Sequence, residues 1–120
     1  MKNILIVEDN EGTRILLEDA LRDNGYEISI ANDGQDALKI LEDKSSLITL
    51  IITDLQMPVM DGIEFIKKVR ENDTTIPILV LTTNALQKQQ AKESGASGYI
   101  VKPFSMKHLV SAIEALTKDE

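Results

Sequence analysis

The chain has no cysteine and no tryptophan, and only three prolines, two tyrosines, two phenylalanines and one histidine among its 120 residues. Without cysteine there is neither a disulfide framework nor a thiolate zinc site, so the fold must rest on its own apolar core. At this length one domain, covering residues 1–120, buries enough surface to fold without staples. Long hydrophobic runs are also missing. The start, Met1 to Asp9, holds an apolar stretch of four residues before two acids, far short of a signal-peptide core or a membrane span, which points to a cytoplasmic protein with no membrane insertion. Positive charge is scarce as well. Thirteen basic residues against twenty acidic ones give a net charge of -7, which opposes direct binding to nucleic acid or anionic lipid and favours a divalent cation.

What is present is a repeated pattern of apolar runs that end in polar groups. Leu50-Ile51-Ile52-Thr53 runs into Asp54, a charge that is costly at the end of a buried strand unless something uses it. Ile4-Leu5-Ile6-Val7 runs into Glu8-Asp9, Ile78-Leu79-Val80-Leu81 into Thr82-Thr83, and Tyr99-Ile100-Val101 into Lys102-Pro103. Between these runs lie stretches of helical period. The alternation argues for parallel β/α units, five strands and five helices in one α/β domain.

The strands are expected at 3–7, 26–31, 50–53, from Ile78 onward and at 99–101. Helices are expected at about 11–23, 35–44, from Asp61-Gly62 to Asp73, 85–94 and 105–116. The first, third and fourth strands are apolar without alternation, as expected where helices cover both faces. The second alternates and belongs nearer an edge. In such an open, doubly wound sheet, ligands bind beyond the carboxyl ends of the strands, where Glu8, Asp9, Asp54, Thr82 and Lys102 all fall.

These motifs, in this order, carry a resemblance: Ile-Leu-Ile-Val-Glu-Asp at the start, Asp54-Leu-Gln-Met-Pro-Val-Met-Asp-Gly, Leu81-Thr82, and Gly98-Tyr-Ile-Val-Lys-Pro-Phe104. The chain resembles the receiver domain of a bacterial-type two-component response regulator, close to the stand-alone chemotaxis-type regulators, over essentially all of its length. The resemblance implies a flavodoxin-like sheet with strand order 2-1-3-4-5. It implies a phosphorelay signalling domain that catalyses only its own phosphotransfer and dephosphorylation. It also implies a histidine kinase as donor, and a protein target or a phosphotransfer protein as receiver of the signal.

The chemistry can be argued beside it. Asp54 as a nucleophile takes a phosphoryl group as an acyl phosphate. Magnesium prefers oxygen ligands and is usually held by one or two carboxylates plus phosphate oxygens, which gives Glu8 and Asp9 a reason to be there. In the resemblance Asp9 and Asp54 ligate the metal and the backbone carbonyl of Gln56 completes the protein ligands. Lys102 is the fixed cation that meets charge on the transferring group. Thr82 offers a hydroxyl to a phosphoryl oxygen. By resemblance Thr82 and Tyr99 form the switch: Thr82 moves toward the phosphoryl group, Tyr99 turns inward, and the face of helix four, strand five and helix five changes partners. The resemblance further implies a cis Lys102-Pro103 peptide.

Plainer roles compete for each residue. Glu8-Asp9 can serve as a helix-entry pair with Asn10 or Asp9 as N-cap, and Asp61 reads as the N-cap of the third helix. Pro58 and Gly62 punctuate the loop after Asp54. Tyr99 can be a strand aromatic and Lys102 a surface lysine. Met57, Met60 and Met106 read as packing residues, and His108 as a solvated helix residue with no phosphotransfer or metal role. Two departures from the family's pattern stand out: Thr83 occupies a place where a smaller residue is usual, and only nineteen residues separate Thr82 from Lys102, a shorter stretch than is usual. Helix four, or the loop before it, must therefore be shortened.

The chain ends about one turn after the last helix, so no output domain is expected within it, although a piece of a longer regulator would read the same way. Two other classes remain open. A small phosphohydrolase with an Asp nucleophile typically carries a second acid two residues on, where this chain has Gln56. A receiver-like interaction module that never takes phosphate has no use for the acids, Thr82 and Lys102 together.

Overall fold

The computed structural model describes residues 2–44, 47–56 and 59–118. The expectations for Met57 and Pro58 lie outside the described residues. Five strands, β1 (Asn3–Val7), β2 (Glu27–Ala31), β3 (Leu50–Asp54), β4 (Ile78–Thr82) and β5 (Gly98–Val101), alternate with five helices, α1 (Glu11–Asp23), α2 (Gly34–Lys44), α3 (Gly62–Asn72), α4 (Lys88–Ser94) and α5 (Met106–Thr117). All strand pairs are parallel, and the order is β2-β1-β3-β4-β5, the expected flavodoxin-like arrangement.

Strand period sorts the apolar residues between two faces. Leu5, Val7, Ile51, Ile78 and Val80 pack with Ala37, Phe65, Ile66 and Val69 beneath α2, α3 and α4. Ile4, Ile6, Leu50, Ile52, Leu79 and Leu81 pack with Leu17, Leu21, Leu109 and Ile113 of α1 and α5. β1, β3 and β4, the three runs without alternation, are the three interior strands, and β2 is an edge. Because both faces are covered, the sheet exposes polar chemistry only at its ends, and the carboxyl end is where Glu8, Asp54, Thr82 and Lys102 emerge.

Side chains that signal helix starts in the sequence do so in space. Asn10 accepts from the Thr13 N–H, Asp61 from the Glu64 N–H and Ser105 from the His108 N–H, each answering an amide that the first turn leaves free. His108 is exposed, and Met60 is buried while Met106 is partly so. The fourth helical stretch departs from expectation. Residues 85–94 do not form one helix: Ala85–Gln87 make a 3-10 turn, with Asn84 accepting from the Leu86 N–H, and α4 has only seven residues. No residue of the 3-10 turn is buried, whereas α4 anchors itself through Ala91 and Ser94. The nineteen residues between Thr82 and Lys102 hold this turn, α4 and β5.

Candidate functional site

β1 and β3 are neighbours, with Val7 opposite Thr53, so Glu8 and Asp54 leave the sheet side by side. Glu8 is buried, 3% exposed, and its position is fixed from several directions. Its backbone N–H donates to the Ala31 carbonyl at 3.1 Å, its carbonyl accepts from the Arg14 guanidinium at 3.2 Å, and its Oε2 accepts from the Asn10 N–H at 3.1 Å. Oε1 has no hydrogen-bond partner. Asp9 is an exposed residue, and the capping role falls to Asn10 rather than to Asp9.

Asp54 is half-buried. Its Oδ1 accepts from the Gln56 N–H at 3.1 Å and its Oδ2 from Lys102 Nζ at 2.9 Å. The same ammonium lies 3.7 Å from Glu8 Oε1. Lys102 thus stands between the two carboxylates, and its backbone is tied to β4, since its N–H donates to the Thr82 carbonyl at 2.7 Å. The Lys102-Pro103 peptide is cis. Gln56 is exposed, with its peptide lying against the Asp54 carboxylate.

Burial dominates the electrostatics at Glu8 and pushes its carboxyl above the ordinary range. The Asn10 N–H opposes this, the Asp54 charge adds to it, and the Lys102 ammonium opposes it again. One lysine therefore does not neutralise two neighbouring carboxylates. Among the described residues, no three acidic, histidine or cysteine side chains are drawn together as a ready cage for an ion. The ammonium occupies Asp54 Oδ2 and leans on Glu8, and Asp9 is an exposed residue. The donor set still suits a hard divalent cation. It consists of oxygens, it is short of positive charge, and one buried oxygen lacks a partner.

Gly62 sets how closely α3 approaches Asp54. Its N–H donates to the Leu55 carbonyl at 2.8 Å, and a Cβ there would overlap the Asp54 carbonyl oxygen and come within 2.6 Å of Leu55 Cα. Its part is thus close backbone packing beneath Asp54, beyond simple turn punctuation. Asp61 caps the helix, as its sequence position suggested.

Thr82 is buried, and its Oγ1 donates toward Gln87 Oε1 at 3.1 Å while accepting from the Asn84 N–H at 3.1 Å. Tyr99, opposite Val80 in the β4–β5 register, is half-buried on the face covered by α4, and Lys88 Nζ stands 4.6 Å from its ring centroid. Sequence reasoning did not single out Gln87 or Lys88. Polar residues in a helical stretch carry no local signal of such contacts. Thr83 is exposed.

Residues 4–114 match the response regulator receiver domain family. The alkaline phosphatase synthesis transcriptional regulatory protein PhoP of Bacillus subtilis is 36% identical over 119 residues, which are 98% of this chain and 49% of PhoP, so the chain spans about half the length of that relative. The chemotaxis protein CheY4 of Vibrio cholerae has a similar structure, with a TM-score of 0.89 at 38% identity, over 97% of this chain and 98% of CheY4. The receiver domain of the sensor histidine kinase PA1611 from Pseudomonas aeruginosa, solved with a magnesium ion coordinated in its active-site cleft, gives a TM-score of 0.90 at 29% identity over 98% of each chain. Sequence and fold agree over nearly the whole chain, which belongs to the response regulator receiver domain family.

Proposed function

We propose that this receiver domain is a phosphoacceptor switch in which Asp54 takes a phosphoryl group from a partner histidine kinase. The observation that carries this reading is the Asp54 carboxylate at a strand end, with one oxygen on the Lys102 ammonium at 2.9 Å and a buried Glu8 oxygen beside it that has no hydrogen-bond partner and only a 3.7 Å ion pair to the same lysine. Both Asp54 oxygens are paired, but one ammonium serves two carboxylates. Asp54 sits in a cluster that still lacks charge.

In the transfer, a bond forms between an Asp54 carboxylate oxygen and phosphorus as the donor's bond to phosphorus breaks: P–N in a phosphohistidine, P–O in a small acyl phosphate. Glu8, Asp9, Asp54 and the Gln56 carbonyl would hold magnesium. When bound, that ion shields the carboxylates from the incoming anion and steadies the charge that develops on its oxygens. Lys102 meets the same charge from the β5 side, already aimed at Asp54. Thr82, at the end of β4, supplies a hydroxyl to a phosphoryl oxygen, and Tyr99 on β5 reports the change to the face of α4, β5 and α5. The population shifts only by as much as the phosphoryl group favours one arrangement over the other.

A protein donor is supported by the surface. Of the exposed large apolar residues, Ile15 and Leu16 on α1, Val59 in the loop after β3 and Leu86 in the turn after β4 all lie in segments that follow the carboxyl ends of strands, and exposed apolar side chains suit contact with a protein that carries the phosphoryl group. The reading covers one receiver domain over residues 1–120 acting in the cytoplasm. A relay role, with Asp54 passing the group on to a histidine phosphotransfer domain, uses the same site.

The test is intact mass after incubation with magnesium and a small acyl phosphate. Wild type gains a single phosphoryl adduct, Asp54→Asn gains none, and a chelator suppresses the gain. Donor turnover without an adduct would revive the phosphohydrolase alternative, and no adduct with any donor would leave an interaction module.

A further inference from the structure

A threonine hydroxyl has one proton to give. In this structure the Thr82 proton is engaged: Oγ1 lies 3.1 Å from Gln87 Oε1 and 3.4 Å from the Asn84 carbonyl, while its lone pair takes the Asn84 N–H. The hydroxyl is therefore satisfied on the side of the 3-10 turn. It cannot also donate to a phosphoryl oxygen on Asp54 without giving up its present acceptor. Of the two acceptors, Asn84 O is fixed by the backbone just after β4, and Gln87 is a half-buried side chain on a turn that has no buried residue to anchor it.

The next residue in sequence holds the second switch position. Lys88 Nζ rests 4.6 Å from the Tyr99 ring centroid, a cation–π contact on the face of β5 that α4 covers. Consecutive residues at the junction of the 3-10 turn and α4 thus hold Thr82 and Tyr99 at once, although these two lie seventeen positions apart on different strands.

We infer that Gln87 and Lys88 form a resting-state clasp, with Gln87 as the positioning residue that keeps the Thr82 hydroxyl from the acceptor and Lys88 holding the Tyr99 ring in its present place. This rests on the reading of Asp54 as phosphoacceptor and deepens it by saying what phosphorylation must break. When the phosphoryl group draws the Thr82 proton, Gln87 loses its donor. The turn is then released, and Lys88, joined to it by one peptide bond, leaves the Tyr99 ring. The 85–94 stretch is in this account the coupling element itself. The N-cap of α4, Gln87, touches one switch position and its first residue, Lys88, the other.

The clasp predicts that Gln87→Met, which keeps the length of the side chain but offers no comparable acceptor, favours the released arrangement by about fivefold, the population effect of one net hydrogen bond. The experiment follows the Tyr99 ring and Thr82 methyl resonances in the free protein and during titration with beryllofluoride and magnesium, alongside adduct formation by intact mass. In Gln87→Met both resonances move, without ligand, toward the positions wild type reaches when beryllofluoride binds, and apparent beryllofluoride affinity rises about fivefold. Gln87→Glu, which keeps an acceptor, leaves the free protein's resonances at their resting positions, and Lys88→Gln shifts Tyr99 in the same direction as Gln87→Met but by less. If wild type forms its adduct and Gln87→Met matches it in resonances and affinity, the clasp is overturned and the phosphoacceptor reading stands. If wild type forms no adduct and binds no beryllofluoride, both are overturned.

Discussion

Asp73, where the strands begin, and Glu8, where they finish, are acidic residues handled in opposite ways. Asp73 closes the turn between α3 and β4, and one of its oxygens accepts from the Thr75 N–H at 2.8 Å, the Thr75 hydroxyl at 3.0 Å and the Ile76 N–H at 2.9 Å. Around it Arg70 donates to the Asp73 and Gly95 carbonyls, both at 3.0 Å, and Ser97 Oγ receives the Ile78 N–H at 3.0 Å. These bonds hold the Asp73 carboxyl below the ordinary range, the Thr75 N–H contributing most. Glu8 is more deeply buried, keeps an oxygen with no hydrogen-bond partner, and is pushed the other way. One end of the sheet uses its acid to fasten the fold. The other keeps a charge under-compensated, a cost in stability that makes sense where a cation and a phosphoryl group are to be received.

The largest expected effect lies at the receiving end. Lys102→Met removes the ammonium placed between Asp54 and Glu8, and adduct formation should slow by about 100-fold, the scale seen when one preorganised group that meets developing charge is lost. The rate of mass gain with a small acyl phosphate checks this. A change of less than a few-fold would mean that the 2.9 Å contact is a resting ion pair and nothing more.

The fastening end should respond in stability alone. Asp73→Ala is expected to cost about 2 kcal/mol in urea unfolding at neutral pH, since it leaves turn amides without their acceptor, while the rate of adduct formation stays at the wild-type value. The folded-state pKa of Asp73 lies below its unfolded value. Its contribution is therefore complete at neutral pH and fades as pH falls through the folded value, so the gap between wild type and variant narrows in acid.

Glu8→Gln carries the smallest effect and the opposite sign. A raised folded-state pKa on an acid means that the charged form costs stability at neutral pH, and that the cost disappears once pH falls below the unfolded value. The metal-free variant should be more stable than wild type by roughly 1 kcal/mol at neutral pH, with the advantage shrinking in mild acid. Magnesium should raise the melting temperature of wild type and do so less for the variant, which has lost a charged donor. If Glu8→Gln destabilises at neutral pH, the contrast between the two ends fails.

Much of this was legible in the chain before any coordinates. Unbroken apolar runs at β1, β3 and β4 announced strands covered on both faces, the alternation of β2 announced an edge, and Asn10, Asp61 and Ser105 marked helix starts, because each of these signals is local. The convergence of Glu8, Asp54 and Lys102 was legible too, since parallel strands end together. Residues 85–94 were not, because their length permits one helix and only the tie from Asn84 to the Leu86 N–H shows a tight turn instead. Gln87 was silent for a related reason: its contact is with a threonine on the preceding strand, and no periodicity encodes that. The depth of Glu8's burial and its unpartnered oxygen likewise come from the packing of α1 over the site through Arg14 and Asn10.

The central claim is that the charge left under-compensated at the carboxyl end of the sheet exists to receive a phosphoryl group on Asp54. Intact mass of wild type and Asp54→Asn, each incubated with magnesium and a small acyl phosphate, tests it most directly. The account predicts one phosphoryl adduct on wild type and none on Asp54→Asn; an adduct of equal yield on both, or none on either, would contradict it.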